Sequence, residues 1–532
     1  MLQQPRGDTA LRLAHKISRR ALLAGAAGVV GAAGLAPLKT VFAQEAPRAG
    51  GVLRIGMTRR PNHLNPLRAI NDAEYMLAEM LYSSLTRLDY TMRPVPDLAV
   101  LWEYNKDLTE WTFRLRTDAQ FHSGREVTAE DVVATFEAIL DPATASPGRA
   151  QIGPVSKVTM VDRYTVRFTT SGPYADLPVT LAYYNAKIVP ADIVARNVRA
   201  LDATVHGSGP FRLKQFEPGR VLVVERNPNY YVRSRPYLER VEQIVYPDPT
   251  GLLAAFLNRE IDLVTEVPPP EYGRILRTPG VDALRQVSGQ FVNMVLRHDQ
   301  RPFNDHRVRR ALQLALDREQ LVALLLEGYG TTAGDTPISA AYRYYKALPP
   351  ISRNLQEARN LLAEAGYPNG LRITLYAAES PPIRARLGVA VREMARPVGF
   401  DINVQTVAYD TYLSQIWRKA NFYVGFYAMR PTEDQILRLL YTSDAAWNET
   451  QWNNARFDDL VNRARATTSV AQRRELYGQA QEMMRREVPA VIPVFMDLLA
   501  AKQAYVRNYR LHPLGTVHYL DRVWLAEGAP RR

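Results

Sequence analysis

Apolar and polar residues alternate over 52–57, 111–117, 164–169, 211–216, 221–225 and 241–246, each run bounded by Gly, Pro or Asp. A period of two puts one face of each run on a core, so the first half of the chain reads as β-rich. Helical spacing intervenes over 73–85, 129–140 and 249–258, and Thr128 followed by Asp131 predicts a capping box for the second of these. The second half changes period. Residues 307–316, 318–327 and 355–365 carry 3.6-residue apolar faces, the last stopped by Gly366 with Pro368 beyond. Strands over 371–377, 401–407 and 422–428 then alternate with helices over 383–398 and 412–418, an order that predicts a parallel α/β sheet. Helices near 432–441, 457–467 and 470–486 follow, then an apolar run over 491–495 and a short β-like tail. If that tail returns to the first lobe, two crossings join the lobes, the connectivity of a hinged clamp that closes on a ligand between them.

The N-terminus departs from this pattern. Residues 21–38 carry no charge; Ser18-Arg19-Arg20 precedes them, Lys39 follows, and Val41-Phe42-Ala43 supplies a small-x-small cleavage site. Paired arginines before a Gly/Ala-rich apolar run mark residues 1–43 as a twin-arginine export signal, cleaved near Ala43-Gln44, which places the mature protein in a bacterial periplasm. The 532 residues, at roughly 150 per domain, suggest two to four structural units in all. The chain has 67 Lys plus Arg against 54 Asp plus Glu, a net charge of +13, and setting aside the six basic residues and one acid of 1–43 lowers this to +8. Acids are interleaved with the remaining bases, as in Arg473-Arg474-Glu475, which describes a solvated surface better than a nucleic-acid track. The absence of cysteine excludes disulfides, thiolate metal sites and cysteine nucleophiles.

Signatures of catalysis are missing. There is no Gly-Lys dipeptide for a phosphate-binding loop, no Gly-x-Ser-x-Gly elbow and no His-Glu-x-x-His. Gly328-Tyr329-Gly330-Thr331-Thr332-Ala333 follows a helix, so it reads as a helix-ending loop and not as a dinucleotide fingerprint. The eight histidines (15, 63, 122, 206, 298, 306, 512, 518) lack the i, i+4 spacing of a metal pair on one helical face. No catalytic residue, metal or cofactor is therefore expected.

Several segments together resemble one family. Trp111-Thr112-Phe113-Arg114-Leu115-Arg116, Phe121-His122-Ser123-Gly124 and Thr128-Ala129-Glu130-Asp131-Val132 form its most recognisable stretch. Gly207-Ser208-Gly209-Pro210-Phe211, Arg226-Asn227-Pro228-Asn229-Tyr230-Tyr231, 302–311, Glu364-Ala365-Gly366-Tyr367-Pro368, Phe457-Asp458-Asp459-Leu460 and 488–493 follow in order. This set resembles the periplasmic solute-binding proteins of peptide/nickel-type ABC importers, extracellular solute-binding family 5, over about residues 50–524. The resemblance implies an α/β, two-lobe periplasmic binding protein fold of type II, cluster C-like. Lobe I would comprise 44–290 plus 500–532, with an inserted subdomain at about 87–203. Lobe II would comprise 291–499, with hinge crossings near 291–296 and 493–500. It also implies a non-enzymatic monomer that captures a small-molecule or peptide-like ligand and delivers it to an ABC permease and its ATPase complex, touching the membrane only through the permease. A secreted peptide or glycan hydrolase, and a sensory or chaperone-like binding protein, are the alternatives.

In the similar proteins the ligand is buried between the lobes. The corresponding places here supply Asn62, His63, Asn65, Asn185, Ser380, Tyr427, Met429, Arg430, Trp447 and Asn448 as candidate ligand-binding residues. Peptide binders of the family hold the peptide amine with an aspartate just after the strand matching 422–428. This chain has Met429 there, followed by Arg430. Where dipeptide binders hold the carboxylate with an arginine, it has Glu379-Ser380. An ammonium beside Arg430 would be repelled, whereas a carboxylate or phosphate would be held. The expected ligand is therefore anionic or zwitterionic: an opine-like compound, a modified peptide or a metallophore chelate.

Overall fold

The computed structural model describes residues 45–532, so the expected export signal lies outside the described residues. Val52–Met57 is buried on both faces. Such a strand needs neighbours on both sides, and it pairs in parallel with Arg240–Val245 and with Leu263–Val264. These belong to an eleven-stranded sheet that runs through both lobes. Its second half contains Leu371–Ala378 in parallel with Phe400–Val407, and Tyr376 of the former pairs with Tyr423 of Phe422–Tyr427, the parallel α/β arrangement that the alternating periods predict.

Two long strands join the halves. Val281–Leu296 and Ala490–Gln503 lie antiparallel from Val281↔Gln503 to Val295↔Ala490, with a register shift between Gln286 and Gln290. Their outer ends meet the first core through Leu284, Leu498 and Ala500, and their inner ends the second through Val292, Met294, Val491 and Val494. At the shift, a Cβ on Gly289 would stand 2.5 Å from the Tyr342 ring and 2.9 Å from Met429, so the backbone runs directly beneath those side chains.

A four-stranded antiparallel sheet (Ala99–Tyr104, Glu110–Leu115, Thr165–Thr170, Val155–Asp162 in spatial order) packs Phe113 and Phe168 against Phe136 of the helix Ala129–Leu140. That helix carries the capping box between Thr128 and Asp131. The C-terminal tail places Val506, Tyr509, Leu520 and Val523 in the same core, and Asp521 receives Arg87 at 2.9 Å. Two boundaries differ from the sequence pattern. The helix expected over 73–85 stops at Leu81, and Tyr82 leaves it in extended conformation. The helix expected over 412–418 is one α-turn, Tyr409–Thr411, followed by a π-helix, Tyr412–Ile416, a widened ladder that i, i+3/i+4 patterning does not foresee. No helix among the described residues is long and apolar enough to cross a membrane.

Candidate functional site

The cleft is built from strand ends. After Val52–Met57 the chain forms a loop anchored by Glu74, whose carboxylate accepts the N–H groups of Asn62 (2.9 Å) and Ile70 (2.7 Å). Asn71 caps the helix Asp72–Leu81, its side chain accepting from Ala73 and Glu74. Tyr75, one turn into that helix, stacks on Tyr184 with ring centroids 3.5 Å apart, and the Tyr183 and Tyr184 hydroxyls are hydrogen-bonded to each other. From lobe II, Phe422–Tyr427 ends at the exposed Ala428, Met429 turns into the core, and the Arg430 backbone N–H donates to the Tyr342 hydroxyl at 3.2 Å.

The Arg430 side chain thus meets phenols from both lobes. Burial works against its charge, and the titratable groups that bear on it most are the phenols of Tyr183, Tyr184, Tyr342 and Tyr75, which raise its pKa only where they are themselves ionised. Those four phenols are themselves pushed up, chiefly by burial, so they stay protonated and neutral. The guanidinium is a full positive charge among neutral partners. Its Nε is buried with no hydrogen-bond partner, and no carboxylate pairs with it among the described residues.

Beside it stands an aromatic wall. Tyr427 and Trp447 lie 6.4 Å apart between ring centroids, and Trp447 meets Trp417 edge-on at 5.5 Å. Behind this wall the buried Glu449 accepts the Trp417 Nε1–H at 2.6 Å and hydrogen bonds from the Tyr427 and Tyr423 side chains. Burial pushes the Glu449 carboxyl up, and those donors pull it back only in part.

The ten sequence-predicted residues divide. Arg430, Tyr427 and Trp447 stand as described. Three asparagines spend their amides on the scaffold. Asn185 donates to the Pro66 and Ala69 carbonyls at 3.0 Å each, and Asn65 donates to the Val198 carbonyl at 3.1 Å and to Asp202 at 2.9 Å. Asn448 donates to the Trp452 carbonyl at 2.9 Å. All three are buried, so their side chains hold loops in place. Met429 is core, packed near Tyr342 and over Gly289. Asn62 and Ser380 are exposed, and His63 is half-buried with an unpartnered Nδ1. Asn62 also lines an open groove of about 500 Å³ with Arg59, Arg60, Asn71 and Tyr246.

Sequence reasoning missed Tyr75, Tyr342 and Glu449, and it weighed Asn185 above its neighbours Tyr183 and Tyr184. The i, i+3 spacing of Asp72 and Tyr75 behind an Asn cap was a usable signal. Nothing local marks Tyr342.

The lobes also meet away from Arg430. Leu88, Met92, Val179 and Ala182 pack in one cluster with Ile338, Tyr342, Tyr427 and Met429. The Arg473 guanidinium grips Asp176 with two bonds of 2.6 and 2.5 Å, both partners buried. The Ala175 N–H reaches the Arg465 carbonyl at 3.0 Å, and Gln435 reaches the Gln151 carbonyl at 2.7 Å.

Phenols of both lobes thus surround an arginine that makes no ion pair among the described residues. The model for bacterial extracellular solute-binding proteins, family 5 Middle, matches residues 93–448, more than half of the chain. The chain belongs to this family. It is accordingly a solute-binding component of an ABC transporter. It is 25% identical over 512 residues to the oligopeptide-binding protein AppA of Bacillus subtilis (strain 168), covering 90% of this chain and 93% of AppA. Among solved structures, the binding protein AgaA of A. tumefaciens R10, in complex with agropinic acid, superimposes with a TM-score of 0.76 at 24% identity, covering 90% of this chain and 99% of AgaA. HbpA2 of Haemophilus parasuis does so with a TM-score of 0.79 at 22% identity, covering 89% and 100%. These structural likenesses bear on the two-lobe fold.

Proposed function

We propose that this protein, exported by its twin-arginine signal and cleaved near Ala43-Gln44, acts as a monomer that captures a solute bearing a carboxylate or phosphate and delivers it to an ABC permease. Arg430 is the anchor for the acid group, and the Tyr427–Trp447 wall supplies contact area. One observation carries this reading: a guanidinium enclosed by protonated phenols, with a buried Nε left free and no counter-ion. A planar fork of donors in that setting matches an oxyanion, and the attraction is stronger for the exclusion of water. AgaA, similar in fold, was solved with an acid, agropinic acid, while the relative AppA is an oligopeptide-binding protein.

The test uses protein purified from the periplasm. Mass spectrometry of the released small molecules identifies the solute, and calorimetry then compares wild type with Arg430→Ala and Arg430→Lys. The acid anchor requires Arg430→Ala to weaken binding by about 100-fold, the scale of a lost buried charge-assisted contact, with Arg430→Lys between the two. An Arg430→Ala variant that binds the solute as tightly as wild type would overturn the assignment.

A further inference from the structure

A second buried cation stands at the strand end that leads to Arg430. Leu371–Ala378 runs parallel to both Phe400–Val407 and Phe422–Tyr427, so the carboxyl ends of the three strands lie along one edge of the sheet. The Glu379 N–H donates to the Val407 carbonyl at 2.9 Å and ties two of those ends together. Open α/β sheets bind their ligands in the crevice outside this edge. Arg384, the second residue of the helix Ile383–Ala395, is 6% exposed there. Its guanidinium carbon lies 4.7 Å from the centre of the Tyr412 ring, 5.5 Å from that of Tyr409 and 5.8 Å from that of Phe426. Tyr412 is buried, but Tyr409 is 41% exposed and Phe426 half-buried, so the cage has a floor and two open rings.

Rings cover the faces of a guanidinium and attract its charge, but they accept nothing from the N–H groups that point outward in its plane. Nε and Nη1 of Arg384 are sealed from water with no hydrogen-bond partner, and Nη2 donates to no group among the described residues. Glu379 and Asp410, just beyond two of the strand ends, are exposed and make no ion pair among the described residues. The other buried arginines are provided for. Arg309 donates to the Phe303 carbonyl at 2.6 Å, Arg318 to Asp335 at 2.7 Å, and Arg473 to Asp176. Of the four arginines buried among the described residues, Arg384 alone has no acceptor, and burying donors without acceptors is costly. A planar oxyanion is the partner that such an edge of donors fits.

Arg430 leaves the same strand. Phe426 and Tyr427 point to opposite faces, and Arg430 lies four residues beyond Phe426, which keeps their Cα atoms within about 14 Å. Two guanidinium groups without counter-ions thus flank one strand end.

We propose that Arg384 is a second oxyanion site, whose in-plane N–H groups hold a further acid group of the solute that Arg430 anchors. This rests on the reading of Arg430 as the acid anchor. The ligand class is then a solute with two separated acid groups, each a carboxylate or a phosphate.

The test separates the two cations. Glutarate, adipate and pimelate are each offered as diacid and as monomethyl ester to wild type, Arg384→Gln, Arg384→Lys and Arg430→Ala, with affinity read by calorimetry and the melting temperature recorded. Wild type should bind at least one diacid about tenfold or more tighter than its ester. Arg384→Gln should bring that ratio to about one and leave ester binding unchanged, with Arg384→Lys between. An Arg384-dependent preference for 4-phosphonobutyrate over glutarate makes the second group a phosphate and supports the site equally. A ratio that survives in Arg384→Gln, even with a lower melting temperature, makes the cage a packing device and overturns the site. Equal affinity for diacid and ester in wild type, with Arg430→Ala weakening both, overturns the second site and spares the anchor. Diacid binding that depends on Arg384 and not on Arg430 overturns the anchor instead. Arg384→Lys keeps a charge over the rings and keeps the test open if Arg384→Gln does not fold. Should wild type bind none of these probes, the solute released from periplasmic protein decides: one with two acid groups supports the site, and one with a single acid group overturns it.

Discussion

At the scale of single residues, function and scaffold are separated by whether a polar side chain finds its partners at home. Asn185 and Arg430 were equal candidates by type. The Asn185 Nδ2 donates to two carbonyls of the 66–69 turn and ties that turn in place, while its buried Oδ1 is left without a partner. Arg430 closes on nothing that carries charge. The two should respond to mutation in opposite ways. Asn185→Ala strands two buried carbonyls and should lower the unfolding free energy by about 2 kcal/mol, seen as a reduced urea midpoint with an unchanged slope. Arg430→Ala removes a charge without a counter-ion and should leave the midpoint unchanged or raised while costing affinity. Asn65 and Asn448 belong with Asn185.

At the scale of elements, the helix Val470–Glu487 joins the cleft to its rim. Ser469 caps it, and its buried face carries Arg473 and Tyr477 one turn apart. Arg473 lies near the N-terminus of the helix Glu433–Leu440, where Glu433 accepts the Tyr344 N–H at 2.6 Å. Burial pushes the Glu433 carboxyl up to about 7, with Arg473 pulling it down only in part. Because the folded-state value exceeds the ordinary 4.5, the folded protein holds a proton that the unfolded chain releases across that window. The contribution of this group is complete below about 4.5 and is lost as pH rises to about 7, at roughly 1.4 kcal/mol per pH unit. Buried His122, His298, His512 and His518, all held down by burial, act with the opposite sign on the acid side. The comparison with Glu433→Gln isolates the glutamate. The variant should match wild type near pH 4.5 and melt progressively higher than it toward pH 7, and parallel melting curves across that range would refute the assignment.

For the whole molecule, the question is what holds the lobes together. The paired strands Val281–Leu296 and Ala490–Gln503 cross between two cores, and their ladder is interrupted between Gln286 and Gln290 and again between Val292 and Met294. Beyond that crossing, Asp176–Arg473 is a buried, two-bond contact between the first and second halves of the chain. Asp176→Asn leaves Arg473 uncompensated when closed and solvated when open, so the ligand-free variant should show a larger radius of gyration by X-ray scattering than wild type. Exchanging the two charges should reverse the change. Identical scattering from wild type and Asp176→Asn would show that the pair does not govern closure.

The order of periods along the chain determined the α/β class, the parallel sheet of the second half and the capped helix at Thr128, because each depends on neighbours a few residues apart. Ordered motifs from Trp111 to Pro493 determined the family in the same local way. The π-helix at Tyr412–Ile416 and the early end of the first helix escaped, since both are settled by what packs against them. Only the tertiary structure decided which side chains meet in the cleft. Tyr75, Tyr184, Tyr342 and Arg430 come from distant parts of the chain. Whether a charge is neutralised depends on both walls of a cleft at once, and no stretch of sequence contains both.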